Sequence, residues 1–224
     1  MKLLLLSTSP SPEQGQALAK LVGKELKEIK VAYIENAYDV YDDEASLIEG
    51  REELKNKGYD IELVDLRDWI NDRDGLYKKL AGKDVFLLTG GNPYYLRSLM
   101  KETGADEMIT ELVKQGKVYV AASAAAVVAG PTLRFFDELD DPKEAKELIW
   151  DGLNLTQTVV VPHIDDREFG EGCRKAGDQL KKAGYRTQPL TNTQALLING
   201  DEQQVLGKNA VLLCVQANFL HMST

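Results

Sequence analysis

No stretch of this chain approaches the roughly 18 consecutive apolar residues of a membrane-spanning helix. The N-terminal run Leu3–Leu6 gives way at once to Ser7, Thr8, Ser9 and Pro10, too short for the apolar centre of a secretion signal. It reads instead as a buried first strand. Cysteine is scarce: Cys173 and Cys214 are the only two in 224 residues, far apart and without metal-ligand spacing. That excludes a disulfide scaffold, gives no ground for a metal or other cofactor, and fits a reducing, cytoplasmic setting. Basic residues are outnumbered, 27 Lys and Arg against 36 Asp and Glu, for a net charge of −9. Nucleic acid and anionic membranes are therefore not expected as partners. Repeats, low-complexity tracts and linkers are absent, so residues 1–224 are expected to form one domain, as a monomer or a homodimer.

What is present is alternation. Short apolar runs at Leu3–Leu6, Val31–Ile34, Ile61–Val64, Asp84–Leu88, Val118–Ala121 and Thr158–Val161 read as strands. Between them, Pro12–Ile29, Glu44–Lys57, Tyr94–Thr103, Ala105–Lys114 and Arg167–Lys182 carry helical spacing, with Gly58 and Gly104 as punctuation. From Arg186 onward the pattern turns to short strands, at Ala195–Ile198, Gln204–Leu206 and Val211–Val215, with turn signals between them. The expected fold is α/β: a three-layer, doubly wound, mostly parallel sheet with helices on both faces and antiparallel strands at the C-terminal edge. In such sheets a site forms beyond the carboxyl ends of the strands.

Ser123 is the residue on which the functional reading turns. It follows the strand at Val118–Ala121 and precedes a small-residue helix start. A serine on a sharp strand-to-helix turn is lifted out of the sheet, and the next backbone amide can hold an oxyanion. Ala121 and Ala125 occupy the two positions where this turn has glycine. If they are forced into unfavourable dihedrals, strain of about 1–2 kcal/mol is expected there.

A serine nucleophile needs a base, and histidine serves near neutral pH. Of the two histidines, His221 lies four residues from the C-terminus, whereas His163 directly follows the strand Thr158–Val161. His163 is the expected base. The loop Gly90–Gly91–Asn92, after the strand at Asp84–Leu88, lets backbone approach a substrate and offers a second oxyanion donor beside the Ala124 amide.

The segments TGGNPYYLRSLM, VYVAASAAAVVAGPTLR and VVPHID, in that order, resemble the peptidase E family of serine peptidases, the α-aspartyl dipeptidases. The likeness runs from the first strand to the terminal hairpins, and Ala129–Thr132 is its most specific part. It implies a fold like that of class I glutamine amidotransferases and a Ser-His-acid site. By position, Ser123 is then nucleophile, His163 base, and the Gly91 and Ala124 amides the oxyanion hole. The acid falls in LTNTQALLING, on Asn192, with Gln194 the next choice. Asparagine orients a histidine ring through its carbonyl but cannot neutralise an imidazolium. Asp165, Asp166, Asp137 and Glu138 are alternative carboxylates, although loop carboxylates of this kind commonly cap helices or stay solvated.

Aspartyl preference calls for a cation opposite the substrate side chain and an anion opposite its amine. Arg134 and Arg174 are the candidate cations, Asp137 and Glu138 the candidate anions, with Gly90 and Asn92 as further substrate contacts. The expected activity is hydrolysis of a short peptide. The alternative is a relative that keeps the fold and binds a small ligand without turnover.

Overall fold

The computed structural model describes residues 1–207. The expected strand at Val211–Val215, Cys214 and His221 lie outside the described residues. β1 (Lys2–Leu6), β2 (Lys30–Ile34), β3 (Asp60–Leu63), β4 (Val85–Leu88) and β5 (Val118–Ala122) form the parallel part of a seven-stranded sheet. Among the described residues, β8 (Ala195–Asn199) and β9 (Glu202–Leu206) join it antiparallel at one edge, in the order β3-β2-β4-β5-β1-β8-β9.

Strand periodicity divides the core between the two faces of this sheet. Leu3 and Leu5 of β1 pack into one apolar cluster, with Phe86 and Leu88 of β4 and Tyr119 and Ala121 of β5. Leu4 and Leu6, with Val85, Leu87, Val118 and Val120, pack into the other. Because both faces are covered there, the central strands β1, β4 and β5 are apolar almost throughout rather than alternating. The first face carries residues of α3 (Arg73–Ala81), α4 (Pro93–Thr103), α5 (Ala105–Lys114), α6 (Ala124–Val128) and α7 (Gly170–Lys182). The second carries Leu18 and Leu21 of α1 (Pro12–Val22) and Leu54 of α2 (Glu44–Asn56). All four leucines of β1 are at most 1% exposed, and burying each contributes about 1.5–3 kcal/mol.

The structure corrects the expected arrangement at three places. β6 (Thr158–Val161) does not join the main sheet; it pairs in parallel with β7 (Arg186–Pro189) in a separate two-stranded sheet. The free edge of β1 is taken by β8, which leaves β6 no place beside it. α1 ends at Val22, where Gly23 takes a left-handed conformation, instead of running to Ile29. α7 starts at Gly170, because Asp166 first turns the chain by accepting the Glu168 and Phe169 amides.

Candidate active site

β5 lies between β4 and β1, and its last ladder bond is Ser123 N–H to the Leu6 carbonyl at 3.0 Å. The chain then reverses into α6, whose Ala126 and Val127 amides bond back to the Ser123 carbonyl at 2.9 and 3.1 Å. Ser123 itself bears the strain, with φ 51° and ψ −120°. A non-glycine residue held there costs on the order of 1–3 kcal/mol, and residues strained in this way cluster at functional sites. Ala121 and Ala125 are buried and neither has a positive φ, so the strain expected at the alanines sits on Ser123. The second strained residue at this site is His163, with φ 58°.

Gly90 and Gly91 are glycine for steric reasons. A Cβ at Gly90 would lie 2.9 Å from the Ser123 Cβ. Gly91 has φ 134°, and a Cβ there would collide with the Ala37 carbonyl. Gly91 and Ala124 line the same cavity as Ser123, and among the described residues no acceptor takes either amide hydrogen.

His163 arrives from the other sheet. Ile164 N–H bonds the Leu190 carbonyl, Leu190 N–H bonds the Val161 carbonyl, and the buried Ser7 hydroxyl accepts His163 N–H at 2.8 Å. These bonds aim the imidazole at the elbow: Ser123 Oγ lies 2.7 Å from His163 Nε2. On the far side of the ring, His163 Nδ1 lies 2.7 Å from Asn192 Oδ1. Asn192 is itself gripped at three points. Its backbone N–H donates to Asp165 Oδ1 at 2.7 Å, its carbonyl accepts from Thr8 Oγ1 at 2.7 Å, and its Nδ2 donates to Asp166 Oδ2 at 2.9 Å. The Glu168 and Phe169 amides, with the Asn192 amide, hold the Asp166 carboxyl below the usual carboxylate range.

The cavity in front of Ser123 measures about 690 Å³, within the span of small-molecule sites. Its walls include Tyr33, Tyr38, Tyr41, Leu47, Phe136 and Phe169. Two carboxylates, Asp140 and Glu168, line it, and among the described residues no lysine or arginine does. Asp140 accepts the Tyr41 hydroxyl at 2.9 Å, and burial pushes its pKa up to about 6.

Not every expected contact residue reaches this cavity. Gly90 does; Asn92 does not, being buried as the cap of α4, where its side chain accepts the Tyr94 and Tyr95 amides. Arg134 is exposed and lies over the Trp150 ring at 5.2 Å. Arg174 is exposed and bonds the Ile164 carbonyl. Glu138 is exposed and pairs with Lys175, and Asp137 is exposed. None of these four charged residues lines the cavity. Gln194, the second choice for orienting His163, instead caps the turn at the Thr191 amide. Asp140 and Tyr41 were not legible as wall residues. Tyr41 is 99 positions from its partner, and only the fold joins them.

A serine on a strained elbow, a histidine in hydrogen-bond contact and two open backbone amides at the carboxyl edge of an α/β sheet define a serine-hydrolase type of site. The chain belongs to peptidase family S51, whose model matches residues 3–206, and the family is one of serine-type peptidases. The chain is 30% identical over 154 residues to an uncharacterized peptidase of Listeria innocua, covering 68% of this chain and 72% of that protein. It is 33% identical over 87 residues to peptidase E of Escherichia coli, covering 38% of this chain and 36% of that one. A crystal structure of a candidate peptidase E protein from Listeria monocytogenes superposes with a TM-score of 0.79 at 27% identity, covering 92% of this chain and 98% of that one.

Proposed function

We propose that this peptidase cleaves short peptides through an acyl-enzyme formed on Ser123. The observation that carries the reading is the 2.7 Å contact between Ser123 Oγ and His163 Nε2, made from a serine with φ 51°. His163 removes the hydroxyl proton as Oγ attacks the scissile carbonyl. The Gly91 and Ala124 amides hold the oxyanion. His163 then returns the proton to the leaving amine, and water, activated by the same imidazole, releases the acyl group. In a serine protease, one oxyanion donor contributes roughly 2.7–4 kcal/mol to the barrier reduction.

The substrate is a peptide whose bound end is neutral or cationic. Asp140 and Glu168 face the cavity, and no cation among the described residues stands ready for an aspartyl side chain. A like-charged carboxylate brought against these walls would bind less well. A free N-terminal ammonium matches them.

The competing reading, ligand binding without turnover, draws on Asn192 standing where an acid would neutralise the imidazolium. Labelling separates the two. A fluorophosphonate is expected to modify Ser123 in the native protein and not in Ser123→Ala, as read by intact and peptide mass spectrometry. An unmodified Ser123 after prolonged exposure would favour the binder.

A further inference from the structure

Asp166 is joined to the reactive pair through Asn192, and nothing in the acyl-transfer scheme uses it. We infer that Asp166 is a positioning residue that fixes the tautomer of His163 by locking the orientation of the Asn192 side-chain amide. The inference extends the Ser123–His163 reading above to two residues that the reacting atoms never touch.

The reasoning is one of donors and acceptors. A carboxylate only accepts, so the Asn192 atom 2.9 Å from Asp166 Oδ2 must be Nδ2. The other amide atom, facing His163 Nδ1 at 2.7 Å, must then be the carbonyl oxygen. A carbonyl also only accepts, so His163 carries its proton on Nδ1. Nε2 is left with a lone pair, and the group 2.7 Å from it is the Ser123 hydroxyl. Asn192 alone would not enforce this, because an unanchored amide can turn over and present Nδ2 to the ring. The ring would then keep its proton on Nε2 and could not accept one from serine.

Asp166 is well placed for this role. Its other oxygen, Oδ1, accepts the Glu168 and Phe169 amides at 2.8 and 3.1 Å, which fixes the carboxylate plane. Asp165 holds the Asn192 backbone, so the amide has little freedom except rotation about its last bond. The acid that the sequence lacks beside His163 is thus present one side chain further out. The array runs Ser123–His163–Asn192–Asp166, with contacts of 2.7, 2.7 and 2.9 Å.

Substitution tests the lock. In Asp166→Asn, the new side-chain oxygen still accepts the two backbone amides, so the turn survives, but its NH₂ faces the Asn192 NH₂. Asn192 must flip, and His163 takes the wrong tautomer. In a serine protease triad, that error costs about 10⁴ in kcat, and a loss of this order is expected in the rate of Ser123 labelling. The same flip is read without any activity. ¹⁵N chemical shifts of the imidazole, assigned against His221→Gln, should place the proton on Nδ1 in the native protein and on Nε2 in Asp166→Asn.

The exchanged pair Asp166→Asn with Asn192→Asp restores an acceptor beside Nδ1, and the amide introduced at position 166 donates to it. The pair should recover the Nδ1–H form and at least about tenfold of the lost labelling, since the orienting bond returns. Asn192→Asp alone should gain little. It sets two carboxylates against each other, and one must take up a proton. If the Nδ1 proton and the labelling rate survive in Asp166→Asn, the lock is refuted. So is it if the exchanged pair labels no faster than Asp166→Asn. Failure of native Ser123 to label would overturn the peptidase reading but leave the ¹⁵N measurement to decide the tautomer.

Discussion

Val161 stands opposite Pro189 in the parallel ladder of β6 and β7, and that register brings His163 and Asn192 together. His163 follows Val161 by two residues and Asn192 follows Pro189 by three, so both side chains leave the same end of the small sheet. Parallel pairing is what makes this possible. Two strands running the same way finish side by side, whereas a hairpin would send their ends apart. The main sheet supplies Ser123 and the glycine loop by the same rule, from the neighbouring carboxyl ends of β4 and β5. Ser7, at the end of β1, bridges the two sheets by accepting the His163 amide.

Leu190 is the joint most exposed to test in this arrangement. It is fully buried, and its backbone bonds both Val161 and Ile164. Leu190→Ala removes core contacts at an expected cost of about 2–5 kcal/mol. It also loosens the link between His163 and Asn192. Thermal unfolding should show the loss of stability, and kcat should fall more than KM rises, because the ring is misaimed while the cavity walls remain. A variant with lowered Tm but native kcat would show that the ladder's end does not position the histidine.

Gly91→Ala places a methyl group against the Ala37 carbonyl at a φ of 134°, where a side chain is strained in any case. Destabilisation of roughly 1–3 kcal/mol is expected from the backbone alone. The Gly91 amide should also be displaced from the oxyanion position, lowering kcat by about 10²–10³, the cost of one such donor. Ser123 Oγ keeps His163, so the loss should appear in turnover of a peptide substrate, while Gly91→Ala still folds by circular dichroism. Native turnover in a folded Gly91→Ala would move the oxyanion donor elsewhere.

How far the sequence reaches depends on whether a residue's role is set by its neighbours in the chain or in space. Continuous apolar runs announced β1, β2, β4, β5 and β6 because strands buried on both faces need no polar positions. β7, reading Arg-Thr-Gln-Pro, has no apolar run and one proline, so its pairing with β6 left no trace. α3 has only Leu76 and Leu80 buried, too few to mark a stripe. Ser123 and His163 were legible from strand-end position and from the scarcity of histidine, and Asn192 through resemblance to a family. Asp166 was visible as a carboxylate near His163, but its bond to Asn192 spans 26 positions and belongs to the fold. Arg134, Asp137, Glu138 and Arg174 failed as wall residues for the same reason. Closeness to the elbow or to His163 in sequence did not carry them into the cavity.

Asp140 gives the site a pH signature in stability. Its folded pKa of about 6 lies above its ordinary value of 3.8, with burial as the leading cause. The folded state therefore holds the proton more tightly than the unfolded chain, and stability falls as pH rises between about 4 and 6. Above that window the ionised carboxylate costs up to about 3 kcal/mol, less whatever its partial exposure returns. Asp140→Asn cannot ionise. It should melt higher than the native protein at pH 8, with the difference shrinking toward zero near pH 4. Equal differences at both pH values would remove Asp140 as the source.

Charge at the cavity wall also makes a prediction about substrates. With Asp140 and Glu168 lining the space in front of Ser123, an N-terminal aspartyl residue meets like charge, while alanyl, phenylalanyl and lysyl residues do not. An energy gap of about 1.4 kcal/mol corresponds to a tenfold difference, so kcat/KM for Ala, Phe or Lys p-nitroanilides should exceed that for the Asp compound by at least about tenfold. Asp140→Asn should narrow the gap by improving the aspartyl substrate, since one of the two repelling carboxylates is gone. Raising the salt concentration should narrow it less, because a half-buried charge is poorly screened. An aspartyl substrate cleaved fastest by the native protein would mean that a cation outside these walls reaches the bound side chain, and the preference for neutral and basic ends would have to be abandoned.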